Sequence, residues 1–171
     1  IHTEAGKFIS NADILILAVK PQDFPALAEQ INSYIHAEQL VISIMAGIKI
    51  ATIKKLTKAS KIVRCMPNLP AQIGMSMTVF TSSPEIDKKE FFIIQNLINT
   101  TGKSVYVEDE NMIDAATAVS GSGPAYVYYF MEAMIQSAIK MGFTLSQAEL
   151  LVNQTFMGAV HLQNQSELTC G

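Results

Sequence analysis

The sequence predicts an α/β sheet followed by a purely helical segment. Three observations carry this expectation. Short continuous apolar runs alternate with amphipathic stretches as far as Val107, the first three runs close on Pro or Gly, and only helical spacing follows Asn111. Continuous apolar runs suit strands buried on both faces. Their alternation with helices implies right-handed crossovers in one sheet. The change of character after Glu108-Asp109-Glu110 sets a domain boundary, giving expected domains 1–109 and 110–171; no Gly/Ser/Pro-rich linker lies between them.

The elements read in order as follows. Asp13 to Val19 forms the first strand, stopped at Lys20-Pro21, where proline can occupy the first turn of a helix without losing a needed N–H. Phe24, Leu27, Ala28 and Ile31 then fall on one helical face. Leu40 to Met45 is the second strand, ended by Ala46-Gly47. A lysine-rich helix follows, with Ile50, Ile53 and Leu56 inward and Lys54, Lys55 and Lys58 outward. Lys61 to Met66 makes the third strand, with a bend at Pro67-Asn68-Leu69-Pro70, and Met77 to Phe80 the fourth. Ser83-Pro84-Glu85 reads as a capped helix start, with Phe91, Ile94, Leu97 and Ile98 on the inner face. Lys103 to Val107 is the last strand. From Pro124 to Met141 runs a helix apolar nearly all round, relieved by Glu132, Gln136 and Lys140 at successive i, i+4 positions. Such a helix is expected to be buried on nearly every side. Gly142 is placed to end it, Ser146 to start the next helix, and Leu162 is the last expected core position.

Composition removes several function classes. The 171 residues carry Lys+Arg 12 against Asp+Glu 15, a net charge of −3, with 49% hydrophobic and 16% charged residues. That excludes disorder and, with no basic run, argues against nucleic-acid binding through phosphate contacts. The longest strictly apolar run, Ile14 to Val19, is far too short to span a membrane, and Ser120 to Pro124 interrupts the greasy window Ala115 to Ile135. Cys65 and Cys170 form no close pair, which fits a reducing compartment. His2, His36 and His161 lack metal-ligand spacing. No nucleophile–base arrangement stands out, and the Glu108-Asp109-Glu110 cluster reads most simply as a solvated turn.

Ligands of open α/β sheets bind at the carboxyl ends of the strands. Three such ends, Ala18-Val19-Lys20-Pro21, Met45-Ala46-Gly47 and Met66-Pro67-Asn68-Leu69-Pro70, are short and uncharged apart from Lys20. They would suit a flat aromatic ring such as nicotinamide, or they are ordinary strand–helix turns. The glycine-rich G-x-G-x-x-G signature is absent, so either no dinucleotide binds or the chain begins after that unit. Ser120-Gly121-Ser122-Gly123-Pro124-Ala125 offers hydroxyls, close backbone approach and a helix start for a small carboxylate, or is a break required by packing.

Together, Ala-Val-Lys-Pro (18–21), Ala-Gly (46–47), Arg-Cys-Met-Pro-Asn-Leu-Pro (64–70) and Ser-Gly-Ser-Gly-Pro-Ala-Tyr (120–126) resemble the pyrroline-5-carboxylate reductase family, from about Asp13 to the final glycine. The resemblance implies a partial Rossmann-like dinucleotide-binding sheet and an all-α dimerisation domain. It implies reduction of 1-pyrroline-5-carboxylate to L-proline by NAD(P)H, the cofactor being NADP with NAD the other option, in a cytoplasmic homodimer that can assemble further. By position, Ala18, Val19, Lys20, Pro21, Met45, Ala46 and Gly47 should line the cofactor. Met66, Pro67, Asn68, Ser120, Gly121, Ser122, Gly123, Pro124, Glu110 and Glu167 should border the substrate. No catalytic acid and no metal are assigned. The family's glycine-rich phosphate loop and its C-terminal substrate loop have no counterpart here, so the 171-residue chain is expected to be inactive by itself. A dehydrogenase of another small acid and a non-catalytic dimeric relative are the alternatives.

Overall fold

The computed structural model describes residues 3–166. Five strands, β1 (Ile14–Leu17), β2 (Leu40–Ser43), β3 (Ile62–Met66), β4 (Ser76–Ser82) and β5 (Gly102–Tyr106), form one sheet in that order. Helices α1 (Phe24–Ile31), α2 (Ile50–Thr57) and α3 (Lys88–Asn99) connect strands. Helices α4 (Asn111–Ala116), α5 (Gly123–Lys140) and α6 (Leu145–Gln165) complete the chain, with a five-residue π-helical turn, Thr117–Gly121, after α4. The fold is thus a Rossmann-like sheet followed by helices. Two compact units divide after Gly123.

Within the first unit, apolar side chains decide the layers. Leu17, Val41 and Ile62 point to one face, where Phe24, Ala28 and Ile31 of α1 and Ile53 of α2 cover them. Leu40, Ile42, Val63, Cys65 and Phe80 point to the other and meet Ile94 and Ile98 of α3. Tyr106 packs edge to face against both Phe80 and Phe91 beside them, the Phe91 and Tyr106 ring centroids 5.0 Å apart.

Strands β1 to β3 are parallel, but β4 runs antiparallel to β3 and β5 runs parallel to β4. The reason is length: the segment between β3 and β4 holds only a one-turn 3₁₀ helix, Leu69–Ile73, and cannot make the crossover that a parallel return needs. The carboxyl ends of β1, β2 and β3 therefore share an edge with the amino ends of β4 and β5.

Several expectations are corrected. Helix α3 starts not at Ser83 but at Lys88, where Asp87 and Glu90 form a reciprocal capping box. The Ser83 hydroxyl is instead drawn across the sheet, accepting from Ile62 N–H and donating to Ser60 C=O. Thr144, not Ser146, caps α6, again reciprocally with Gln147. Leu97 and Leu162 are exposed rather than core. A short 3₁₀ helix, Lys7–Asn11, precedes β1 and has no counterpart in the sequence reading.

The second unit is a pair of helices. Gln136 bonds Glu132 on the polar stripe of α5, and Gly142 takes φ +105°, a conformation that favours glycine, just beyond the helix. Among the described residues of this unit only Ala148 and Val152 are buried. The expected burial of α5 is not met within one chain: Tyr126, Tyr128, Tyr129 and Phe130 are 55–81% exposed. Its apolar surface exceeds what a single partner helix can cover. No described helix is long and apolar enough to cross a membrane.

Candidate active site

The parallel register brings the three predicted tips together. Leu17 pairs with Ser43 and Ser43 with Arg64, so residues 18–21, 44–47 and 66–68 leave the sheet side by side. At the first tip, Ala18 and Lys20 are exposed and Val19 half-buried. Pro21 opens a 3₁₀ turn in which Lys20 C=O accepts from Asp23 N–H. A cavity of about 280 Å³ opens beside Ala18 and Val19, lined also by Phe8, Leu15 and Ile16. At the second tip the Met45 side chain turns into the core and is 2% exposed, so that residue offers backbone only. Ala46 and Gly47 are exposed. Gly47 has φ +72°, and a Cβ there would meet nothing within 4 Å. The tips are therefore open, with Lys20 the one charged residue within them and Glu4 lining the cavity beside them, and able to take a flat ring against backbone. Those features fit a nicotinamide, which residues 18–21 and 46–47 would hold.

The third tip is bound to the turn after α4. Asn68 donates from Nδ2 to Ser120 C=O at 3.0 Å, while its Oδ1 accepts from Met77 N–H at 3.0 Å and from Ser76 Oγ at 3.2 Å. One side chain thus joins β3, β4 and the turn. Met66 packs against Gly121, where an added Cβ would lie 2.8 Å from the methionine Cε. The turn is a π bulge: Ser122 N–H reaches Thr117 C=O at 2.8 Å, skipping the usual register. Ser120 spends its hydroxyl on Ala116 C=O, and Pro67, Ser122 and Gly123 sit half-buried nearby in the chain. Pro124 begins the second unit. Glu167 lies outside the described residues.

Glu110 is not the solvated turn residue its acidic neighbours imply. Its Oε1 accepts from the guanidinium of Arg64 at 3.2 Å and from Ile50 N–H, at the start of α2, at 2.7 Å. Arg64 is fully buried and also pairs with Asp114 at 2.6 Å; its Nε has no hydrogen-bond partner among the described residues. Sequence reasoning used Arg64 only as a letter of the resemblance. A cation inside an apolar strand signals an acid pair elsewhere, and that signal could have found the network. Cys65 beside it is buried, and burial pushes its thiol up to about 12, so it is no nucleophile. Among the described residues no group of three His, Cys, Asp or Glu could hold a metal.

An open α/β edge of backbone-lined tips, followed by a helical segment with exposed apolar surface, is the architecture of a Rossmann-like fold with an added helical segment. The chain is similar at residues 1–47 to the model described as NADP oxidoreductase coenzyme F420-dependent, and at residues 110–170 to that of pyrroline-5-carboxylate reductase dimerisation. Pyrroline-5-carboxylate reductase 2 of Bacillus subtilis is 40% identical over 95% of this chain and 58% of its own length. Pyrroline-5-carboxylate reductase 3 of Xenopus laevis is 38% identical over 93% of this chain, again 58% of its own. Among solved structures, the Plasmodium falciparum pyrroline carboxylate reductase with NADP bound matches with a TM-score of 0.86 at 31% identity, over 94% of this chain and 61% of that one. The Coxiella burnetii reductase matches at 0.83 and 35%, over 93% and 60%. Over more than nine-tenths of its length the chain is thus similar to pyrroline-5-carboxylate reductases. It spans a little under 60% of the length of these curated relatives.

Proposed function

We propose that the intact protein reduces 1-pyrroline-5-carboxylate to L-proline with NADPH, NADH being the other donor to test. The observation that carries this reading is the hydrogen bond from Asn68 to Ser120, which holds the turn 117–121 against the edge formed by the tips of β1, β2 and β3. When bound, the reduced nicotinamide supplies a hydride to the imine carbon, and the ring nitrogen takes a proton. Ala18, Val19, Lys20, Pro21, Ala46 and Gly47 accept the nicotinamide face, with Met45 contributing backbone. Met66, Pro67 and Asn68, with Ser120 to Pro124, border the small imine acid. Their work is to bind, orient and exclude water, and the one remaining Asn68 Nδ2–H is a donor of the kind a carboxylate needs.

On this reading residues 1–109 carry the cofactor and 110–171 make a homodimer that can assemble further. The exposed aromatic face of α5 supports the dimer. The acidic balance supports a protein that needs neither nucleic acid nor membrane, and the free, buried Cys65 supports a cytoplasmic setting. The test is NADPH oxidation followed at 340 nm with the intact protein. Imine-dependent turnover is expected, with none from a 2-hydroxy acid and NADP. Turnover of the hydroxy acid instead would move the protein to another dehydrogenase class, and no turnover of either would favour a non-catalytic relative.

A further inference from the structure

Two ligand-facing segments of the first unit are tied to one buried cation. On one side, Glu110 Oε1 receives Ile50 N–H at 2.7 Å, three residues beyond Gly47. Lys49 Nζ adds a second tie to Asn111 Oδ1 at 3.3 Å. On the other side, Asp114 lies one turn further along α4, just before the π turn that carries Ser120. Arg64 reaches both carboxylates from β3, through Nη1 to Glu110 and Nη2 to Asp114. The same strand ends in Met66 and leads to Asn68, which grip Gly121 and Ser120 from their other side.

We propose that Arg64, Glu110 and Asp114 form a positioning clamp. It holds the tip after β2, where the cofactor would lie, and the turn Thr117–Gly121, where the substrate would lie, at one fixed spacing. This rests on the reading of those two segments given above. In this role all three act through the segments they hold. The chemistry favours a clamp over simple packing. Arg64 presents a planar fork to two acids at once, which lysine could not reproduce. Glu110 uses a single oxygen for Ile50 N–H and for the Arg64 guanidinium, so its displacement loosens both the start of α2 and the cation it shares with Asp114. A π turn is a rare element, found mostly as a single-turn bulge and frequently at functional sites, where its surroundings fix it. Here those surroundings are Asp114 before it and Asn68 across it.

The two carboxylates therefore differ in what they control. In the intact protein, Asp114→Ala should raise the imine KM about tenfold, because a misplaced positioning group costs heavily in rate and binding. NADPH affinity, read from nicotinamide fluorescence, should stay unchanged. Asp114→Asn, which keeps an acceptor for Nη2, should restore most of the lost affinity. Glu110→Gln keeps a carbonyl for Ile50 but removes the charge facing Arg64, and should weaken both NADPH and imine. Hydrogen exchange at the amides of residues 117–121 should speed up in Asp114→Ala and recover in Asp114→Asn. A lower melting temperature with unchanged KM, NADPH affinity and exchange would overturn the clamp and leave a purely structural ion pair. Should the wild type fail to turn over the imine, the proposed activity falls. The exchange rates and nucleotide affinity of the same variants would still decide the clamp.

Discussion

Gly102 opens β5 at φ +149°, and a Cβ there would overlap the backbone nitrogen, carbon and oxygen of Ser76. Backbone cannot step aside as a flexible side chain can, so Gly102→Ala should cost about 3 kcal/mol or more, in the range of severe overpacking combined with strained φ. Urea denaturation measures it. The damage should also reach the site, because Ser76 Oγ donates to Asn68 Oδ1; Ser76 is the partner that would have to move. Cys65 gives a second prediction at this scale. Its thiol is raised from 9.0 to about 12 by burial, so the folded state holds the proton longer than the unfolded one. Stability is therefore unaffected below pH 9 and declines as pH rises from 9 towards 12. In a Cys170→Ser background the native thiol should react with an aromatic disulfide reagent many-fold more slowly than in urea; equal rates would contradict its burial. Neither residue could be read in advance. Glycine at a strand start and cysteine in an apolar run have the same letters whether their surroundings are tight or open.

At the scale of elements, the apolar runs and the 3.6-residue spacing carried every strand and the connecting helices, because burial of a continuous face fixes both identity and register. What failed were helix starts. Ser83-Pro84-Glu85 and Asp87-x-x-Glu90 are both helix-start patterns, and local sequence does not say which hydroxyl or acid tertiary contacts will claim. Ser83 was claimed by Ile62 and Ser60 across the sheet, leaving Asp87 as the cap. Pro84 and Glu85 became a surface turn, and that turn has its own role. Lys54 on α2 contacts both oxygens of Glu85, at 2.6 and 2.8 Å, and this bond holds the Glu85 carboxyl below its usual value of 4.5. A depressed carboxylate stabilises the fold above its unfolded pKa, and the contribution fades as pH falls through the folded one. Glu85→Gln should therefore lower the urea midpoint at pH 6, and the difference from wild type should shrink as pH falls below 4.5. Because the pair is exposed, the difference should be small and shrink further in high salt. A mutant deficit that does not shrink as pH falls below 4.5 would mean the side chain acts through packing.

For the molecule as a whole, the parts of the site lying within one stretch of sequence were legible, and the parts made by contact between stretches were not. The tips at 18–21, 45–47 and 66–68 announced themselves, whereas the tie from Asn68 to Ser120 spans 52 residues and that from Arg64 to Asp114 spans 50. The helical segment shows the same limit from the other side. Its sequence states that α5 must be buried nearly all round, yet within one chain Tyr129 is 81% exposed and Tyr126 and Phe130 about 60%. Two helices cannot supply the missing cover, and exposed aromatic surface on this scale marks a contact with another body. If that body is a second copy, large aromatic side chains near its centre dominate the binding energy. Tyr129→Glu places a charge in that contact while α6 keeps its own buried positions, Ala148 and Val152. In the intact protein it should weaken the dimer by at least about thirtyfold, the equivalent of about 2 kcal/mol. Sedimentation velocity across a concentration series would show a monomer where the wild type shows a dimer. The circular dichroism of the variant should remain helical. An unchanged sedimentation coefficient would place the subunit contact on some other surface and leave the greasiness of α5 to be explained by a different partner.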